Sequence, residues 1–279
     1  MTHKLFCFGL GYTAQNLIRH LTAQDTPWQF SGTHRHIFDG TAPMPDLEKD
    51  LSHVTHMLIS IPPQDKVGDV VLHHHREVIS KLKKLKWLGY LSTTGIYGDR
   101  AGAWVDDDTT PAPTSDKGHQ RLKAEQDWLE LCHHKNIPVH IFRLGSLYGP
   151  NRGHLVNLLA GNTRKIVKQG HYFSRIHIED VARVLAASIR SPHPGRSYNL
   201  VDDRPAPTPD VLDFICDLLD RPHLPPTDID KADLSPMMLI FYSENKRVRN
   251  DRIKQELDIT LKYPTYREGF TALVKALKA

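Results

Sequence analysis

An α/β fold, with a parallel sheet wound on both faces by helices, is predicted by three features of the chain. Short apolar runs rich in Val, Ile and aromatic residues alternate with amphipathic stretches. The first run leads directly into a glycine turn. Two segments dense in turn residues, Asp99–Pro113 and Gly149–Gly153, follow later runs, on the edge where open α/β sheets place their ligands.

The runs predict strands at Lys4–Gly9, Trp28–Thr33, His56–Ile61, Trp87–Ser92 and Pro138–Leu144. Helices are predicted between them, near Tyr12–Ala23, Val67–Lys84 and Ser115–His134. Beyond Pro150 the alternation loosens into a helix near Ile178–Arg190, a strand at Ser197–Val201 and a helix near Thr208–Leu219, with Pro-rich connections at Pro205–Pro209 and Pro222–Pro226. A last helix is predicted near Thr265–Lys278. The pattern divides the chain into a core over 1–150 and a smaller cap over 151–279, some of whose segments return to the core.

Composition removes several classes of function. At 279 residues the chain can bury about three quarters of its unfolded surface and needs no disulfide staples. Its three cysteines, Cys7, Cys132 and Cys216, are an odd number without paired spacing, which fits a reducing compartment. No apolar stretch approaches the ~18 residues of a membrane span and no signal segment opens the chain, so a cytoplasmic protein without a membrane partner is expected. The net charge of +4 is scattered. Its densest run, Lys81–Lys86, is interrupted by Leu82 and Leu85 as a solvated helix face would be, which argues against nucleic acid. Among 18 histidines the triplet His73–His75 suggests a metal. Neighbours on a helix point about a third of a turn apart, so three in a row cannot chelate one ion, and no metal site is expected.

The glycine turn gives the first functional signal. Gly9-Leu10-Gly11-Tyr12-Thr13-Ala14 follows a predicted strand and opens a predicted helix. In that context the glycines let the backbone turn tightly and approach a pyrophosphate, while the helix N-terminus offers free N–H groups to it. This predicts a Rossmann-type dinucleotide site. Folds specific for NAD usually carry an acidic residue at the end of the second strand, to accept from the ribose 2′-OH. Here that end reads Gly32-Thr33-His34-Arg35. With no carboxylate present, the Arg35 guanidinium and the Thr33 hydroxyl suit a 2′-phosphate, and NADP(H) is favoured over NAD(H).

With these residues in place the chain resembles the NAD(P)-dependent epimerase/dehydratase group of extended short-chain dehydrogenases, particularly its atypical members. The carriers are Gly9–Ala14, the end of the second strand, Ser60-Ile61-Pro62-Pro63, Ser92-Thr93-Thr94-Gly95-Ile96-Tyr97-Gly98, Arg143-Leu144-Gly145-Ser146-Leu147-Tyr148-Gly149-Pro150, Arg175-Ile176-His177-Ile178-Glu179-Asp180-Val181-Ala182 and Tyr198-Asn199-Leu200. The resemblance implies that Ser60, Ile61 and Pro62 pass near the cofactor's phosphates and ribose, and that the stretch holding Leu144 and Ser146 lies beside the nicotinamide. It further implies a cap closing over a small-molecule substrate, often a nucleotide-linked sugar. Thr93 falls where such enzymes hydrogen-bond the reacting oxygen. Members often pair through the helices that follow strands four and five, so a homodimer is compatible with the sequence.

The group's general acid/base is a Tyr with a Lys four residues later. Anchored on Ala124-Glu125-Gln126, those positions hold Lys117 and Arg121, and no register of the helix supplies the pair. His119 and Tyr97 are the nearby side chains with acid/base chemistry, and Tyr97 joins Thr93 as a candidate catalytic residue. Two readings follow: an NADP(H)-dependent oxidoreductase or epimerase-like enzyme without the usual dyad, or an NADP(H)-binding sensor with little turnover.

Overall fold

The computed structural model describes residues 2–278. Six parallel strands form its central sheet: β1 (His3–Phe8), β2 (Trp28–Gly32), β3 (His56–Ile59), β4 (Trp87–Thr93), β5 (Val139–Leu144) and β6 (Ser197–Leu200). In space they run β6-β5-β4-β3-β1-β2, all parallel. This is the Rossmann-type, doubly wound sheet the alternation predicts, with a cap built mainly from the second half of the chain.

The inner strands β1, β3, β4 and β5 are buried on both faces because both are covered, whereas the edge strand β2 exposes Gln29 and Ser31. Along β1, Leu5 and Cys7 enter one core with the helices Tyr12–Thr22 and Ile178–Arg190, while Phe6 and Phe8 enter another beneath Val70–Ser80 and Asp116–Lys135. The chain leaves β1 toward one face and β3 toward the other, so the crevice between these neighbours is the switch point at which such sheets bind ligands. Gly9 lies at that crevice.

Helix boundaries follow local chemistry. The third helix starts at Val70, not Val67, because Gly68 takes a φ of +78° and the Asp69 carboxylate caps the N–H groups of Val71 (3.0 Å) and Leu72 (2.9 Å). Its other oxygen accepts from Trp128 Nε1 at 3.0 Å, tying this helix to Asp116–Lys135. The third helix ends at Ser80, so the Lys81–Lys86 run is not the helix face predicted but the connection into β4, with Leu85 buried as its anchor. His74 and His75 hold the loop after β2 through Gly40 O (2.9 Å) and Met44 N–H (3.3 Å). Among the described residues no three His, Cys, Asp or Glu side chains are placed to hold a metal, and no helix is long and apolar enough to cross a membrane.

Beyond Pro150 the chain serves both layers. Ile178–Arg190 packs on Tyr12–Thr22, and β6 completes the sheet beside β5. The helices His154–Leu159, Thr208–Leu218 and Tyr266–Lys278 close a separate cluster around Tyr148, Ile215 and Phe270. Periodicity does not reveal three two-stranded parallel ribbons: Ser146–Tyr148 with Arg175–His177 and Trp104–Val105 with Arg247–Val248 join the two halves of the chain, and Lys165–Val167 with Pro226–Asp228 lies within the second. At two or three residues each they are too short to show an alternation.

Candidate active site

The glycine turn is held from beneath. Gly9 has a φ of +91°, and a Cβ there would stand 2.7 Å from Ser60 Oγ, so both conformation and space require glycine. Its N–H donates to Thr33 Oγ1 (2.9 Å), and Ser60 Oγ donates to its carbonyl (2.6 Å). Leu10 N–H adds a bond to Thr33 O at 2.8 Å. Thr33 is therefore buried under the turn with its hydroxyl engaged, and does not face a 2′-phosphate as the sequence suggests; it and Ser60 shape the loop. Arg35 is exposed just beyond, with no salt bridge or hydrogen bond among the described residues.

Gly11 is the opposite case. A Cβ there would meet nothing within 4 Å. It precedes the helix Tyr12–Thr22, whose N-terminus carries no side-chain cap and no acid in its first turn. Free N–H groups facing open space beside a glycine are what a pyrophosphate requires, so the residues present fit a dinucleotide. Thr13 and Ala14 are buried against the sheet, letting the helix pack closely, and the Tyr12 hydroxyl donates to Pro150 O at 2.9 Å. Ile61 is half-buried and Pro62 exposed at the end of β3, on the far side of the crevice.

A cleft of about 650 Å³ opens along the carboxyl ends of β4 and β5. Thr93, Leu144 and Ser146 line it, as do Lys117 and Arg121 from the start of the helix Asp116–Lys135. That helix comes close because Gly118 has no side chain: a Cβ there would stand 3.3 Å from Gly95 O and 2.8 Å from Pro113 Cβ. Ser115 caps it by accepting from Gly118 N–H at 3.2 Å. Thr93 Oγ1 accepts from Gly95 N–H (3.1 Å), which fixes its rotamer. Arg121 donates to Leu91 O (2.8 Å) and Tyr90 Oη (3.2 Å), bracing the end of β4, whereas Lys117 is exposed. His119 is also exposed and does not line the cleft.

Tyr97 does not reach the cleft. It is fully buried, donates to Asn199 Oδ1 (2.8 Å) and accepts from Arg143 (2.9 Å), and burial pushes its hydroxyl up to about 12. Arg143 in turn pairs with Glu125 at 2.9 Å, both nearly inaccessible. Three motif segments, around Tyr97, Arg143 and Asn199, thus converge on one buried network, which corrects the expectation that Tyr97 faces a reacting group. Asp180 is likewise structural, its carboxylate accepting from the backbone of Lys262 (2.7 Å) and Tyr263 (2.9 Å).

Sequence reading marks the segments of Arg152 and Arg175 without giving either residue a role, and does not mark Glu244 or Lys246. Arg152 lies over the Tyr12 ring at 5.3 Å and also lines the cleft. Arg175 lies beneath it, buried, donating to Phe173 O (2.8 Å), Ala206 O (2.7 Å) and Thr208 Oγ1 (3.0 Å). Glu244 and Lys246 add a nearly buried ion pair at 2.6 Å, and burial lowers the lysine's pKa. A Ser-Pro pair at 235–236 marks the start of the helix Pro236–Ser243 above them.

A six-stranded parallel sheet with an open glycine turn at its switch point and a cleft along its carboxyl edge defines a Rossmann-type fold. The sequence pattern of the NAD dependent epimerase/dehydratase family matches residues 65–201. Among solved structures it is similar to a conserved protein of unknown function from Silicibacter pomeroyi DSS, at 45% identity and a TM-score of 0.88, covering 98% of this chain and 99% of that one. It also resembles dTDP-glucose 4,6-dehydratase from Bacillus anthracis in complex with NAD, at 17% identity and a TM-score of 0.77 over 100% and 97% of the two chains. The human epimerase family protein SDR39U1 with NADPH aligns at 16% identity and a TM-score of 0.73 over 99% of each. No curated protein matches the chain.

Proposed function

We propose that the protein is an NADP(H)-dependent oxidoreductase of the epimerase type, acting on an anionic small molecule such as a nucleotide-linked sugar. The observation that carries this reading is the convergence of Thr93, Lys117 and Arg121 on one cleft, whose Arg152 also lies over the ring of Tyr12, the first residue of the helix after the open glycine turn. The amides at Gly11–Thr13 would hold the pyrophosphate, and Arg35, free and exposed where NAD-specific folds keep an acid, would take the 2′-phosphate. When bound, the nicotinamide supplies or accepts the hydride. Thr93 would hydrogen-bond the reacting oxygen. Lys117 and Arg121 stand at the positions of the usual dyad and give the cleft a positive floor that favours an anionic substrate.

That same pair supports a second reading, a cofactor-binding sensor with little turnover, because an always-charged guanidinium cannot take over the role of the dyad lysine and Lys117 is no phenol. Following NADPH absorbance together with the sugar products formed from UDP- and dTDP-linked sugars separates the two, because an epimerase returns its hydride and leaves no net change in absorbance. The enzyme reading expects turnover that Thr93→Ala lowers by about 10²-fold or more. NADPH binding with no turnover on any sugar supports the sensor. Gain of turnover in Lys117→Tyr with Arg121→Lys would support the assignment of those positions.

A further inference from the structure

The eight residues Pro236–Ser243 form a helix that is apolar nearly all round. A helix of that kind is ordinarily buried. Here Met238 and Tyr242 pack on Ile166, Leu234 and Phe173, but Met237, Ile240 and Phe241 remain 55%, 37% and 56% exposed. These three are spaced i, i+3 and i+4, so they form one stripe, and all three line the cleft. Of the ten large apolar residues exposed among the described residues, four fall in this helix. Scattered exposed apolar residues need no explanation, but a contiguous stripe on a concavity does.

The stripe is fixed relative to the charged floor. Ser235 caps the helix by accepting from Met238 N–H at 3.4 Å, with Pro236 in its first turn. At the other end the Glu244 carboxylate, itself nearly buried, accepts from Thr114 (3.1 Å), Ser115 (3.3 Å) and Lys246 (2.6 Å). Ser115 is the cap of the helix bearing Lys117. The apolar wall and the cationic floor are thereby tied through one carboxylate. Neither Lys117 nor Arg152, the two exposed cations of the cleft, has a carboxylate within 4 Å among the described residues.

We propose that the cleft takes an amphiphilic anion, a substrate in which a phosphate or carboxylate is joined to an extended alkyl, acyl or comparable apolar portion. The anionic end meets Lys117 and Arg152, and the apolar portion covers Met237, Ile240 and Phe241. This rests on the reading of the cleft as the substrate site. A second copy of the chain is the competing occupant, but the stripe lines the concavity that holds the unpaired cations, and the two halves together match one small molecule with two chemistries.

The test is calorimetric titration of the full chain with decyl phosphate below its micelle concentration, with inorganic phosphate and 1-decanol as the separate halves, each with and without NADPH. Decyl phosphate should bind at least about tenfold more tightly than inorganic phosphate, since several methylenes leave water. Phe241→Ser with Ile240→Ser should remove most of that advantage, and Lys117→Met should weaken decyl phosphate while leaving decanol unchanged. Decyl phosphate affinity indifferent to the stripe, or displacement by NADPH, would overturn the proposal. So would a dimer, seen by sedimentation, that the stripe changes dissociate. A missing thermal shift with NADPH alongside stripe-dependent decyl phosphate binding would instead remove the cofactor reading and leave the amphiphile site standing.

Discussion

At the glycine turn the groups that the fold buries are matched across neighbouring strands: Gly9 N–H with Thr33 Oγ1, Gly9 O with Ser60 Oγ, Leu10 N–H with Thr33 O. On the cap side buried polar atoms stand without partners, among them both ring nitrogens of His171, Arg175 Nε and Asp202 Oδ2, while an apolar stripe stays in solvent. The turn is finished before any ligand arrives, so it can present backbone N–H groups at a fixed geometry. The cap side is the part that can differ between relatives sharing the same sheet.

The largest effect expected from this contrast is on acid stability. Burial holds His56, His75, His140, His171 and His177 down to about 4, against 6.5 when unfolded. As pH falls from 6.5 toward 4 the unfolded chain takes up protons that the folded chain refuses, so stability is lost across that window, by up to about 1.4 kcal/mol per pH unit for each group. Asp107 and Asp202, pushed up by burial to about 6 and about 8, work in the opposite direction, losing stability as pH rises through the interval above 3.8. Five imidazoles outweigh two carboxyls below 6.5, and above it Asp202 continues to titrate. Urea midpoints should therefore peak near pH 6.5 and drop steeply toward pH 5, with Asp202→Asn flattening the decline between 6.5 and 8. A midpoint that rises on acidification would show that the buried histidines have found partners.

Next in size is the network behind the cleft. Glu125→Leu leaves Arg143 as a buried charge with its main partner gone and should cost about 3–5 kcal/mol in chemical denaturation. Smaller is Thr33→Val, which strands Gly9 N–H and should cost about 1–3 kcal/mol while also weakening the turn's ligand. Smallest is Lys117→Met on the exposed wall, expected within about 0.5 kcal/mol of the parent. Reversal of the first and last values would erase the distinction between a buried framework and the exposed cleft.

Much of the sheet side was legible because its signals are local. The strand into Gly9, the open position of Gly11 and the helix after it can be read in a dozen consecutive residues, and β3, β4 and β5 announce themselves as apolar runs. The role of Thr33 was not legible, since a hydroxyl after a strand reads the same whether it points at a phosphate or back at Gly9. Tyr97 misled for a similar reason: its partners Arg143 and Asn199 lie 46 and 102 residues away. The stripe at Met237, Ile240 and Phe241 was missed because a short apolar run gives no clue to which side it leaves uncovered.

Under the proposed function, the open glycine turn holds a dinucleotide and the loop after β2 prefers NADPH. Calorimetric titration of NADPH and NADH into the parent chain, Gly11→Val and Arg35→Ala tests it most directly. The parent should bind NADPH more tightly than NADH, with the advantage shrinking in Arg35→Ala as a charge-assisted contact worth about 1.5–3 kcal/mol is lost. Gly11→Val should bind neither cofactor yet melt like the parent, because its new side chain enters space that is open in the fold. Normal NADPH affinity in a folded Gly11→Val, or equal affinities for the two cofactors in the parent, would contradict the account.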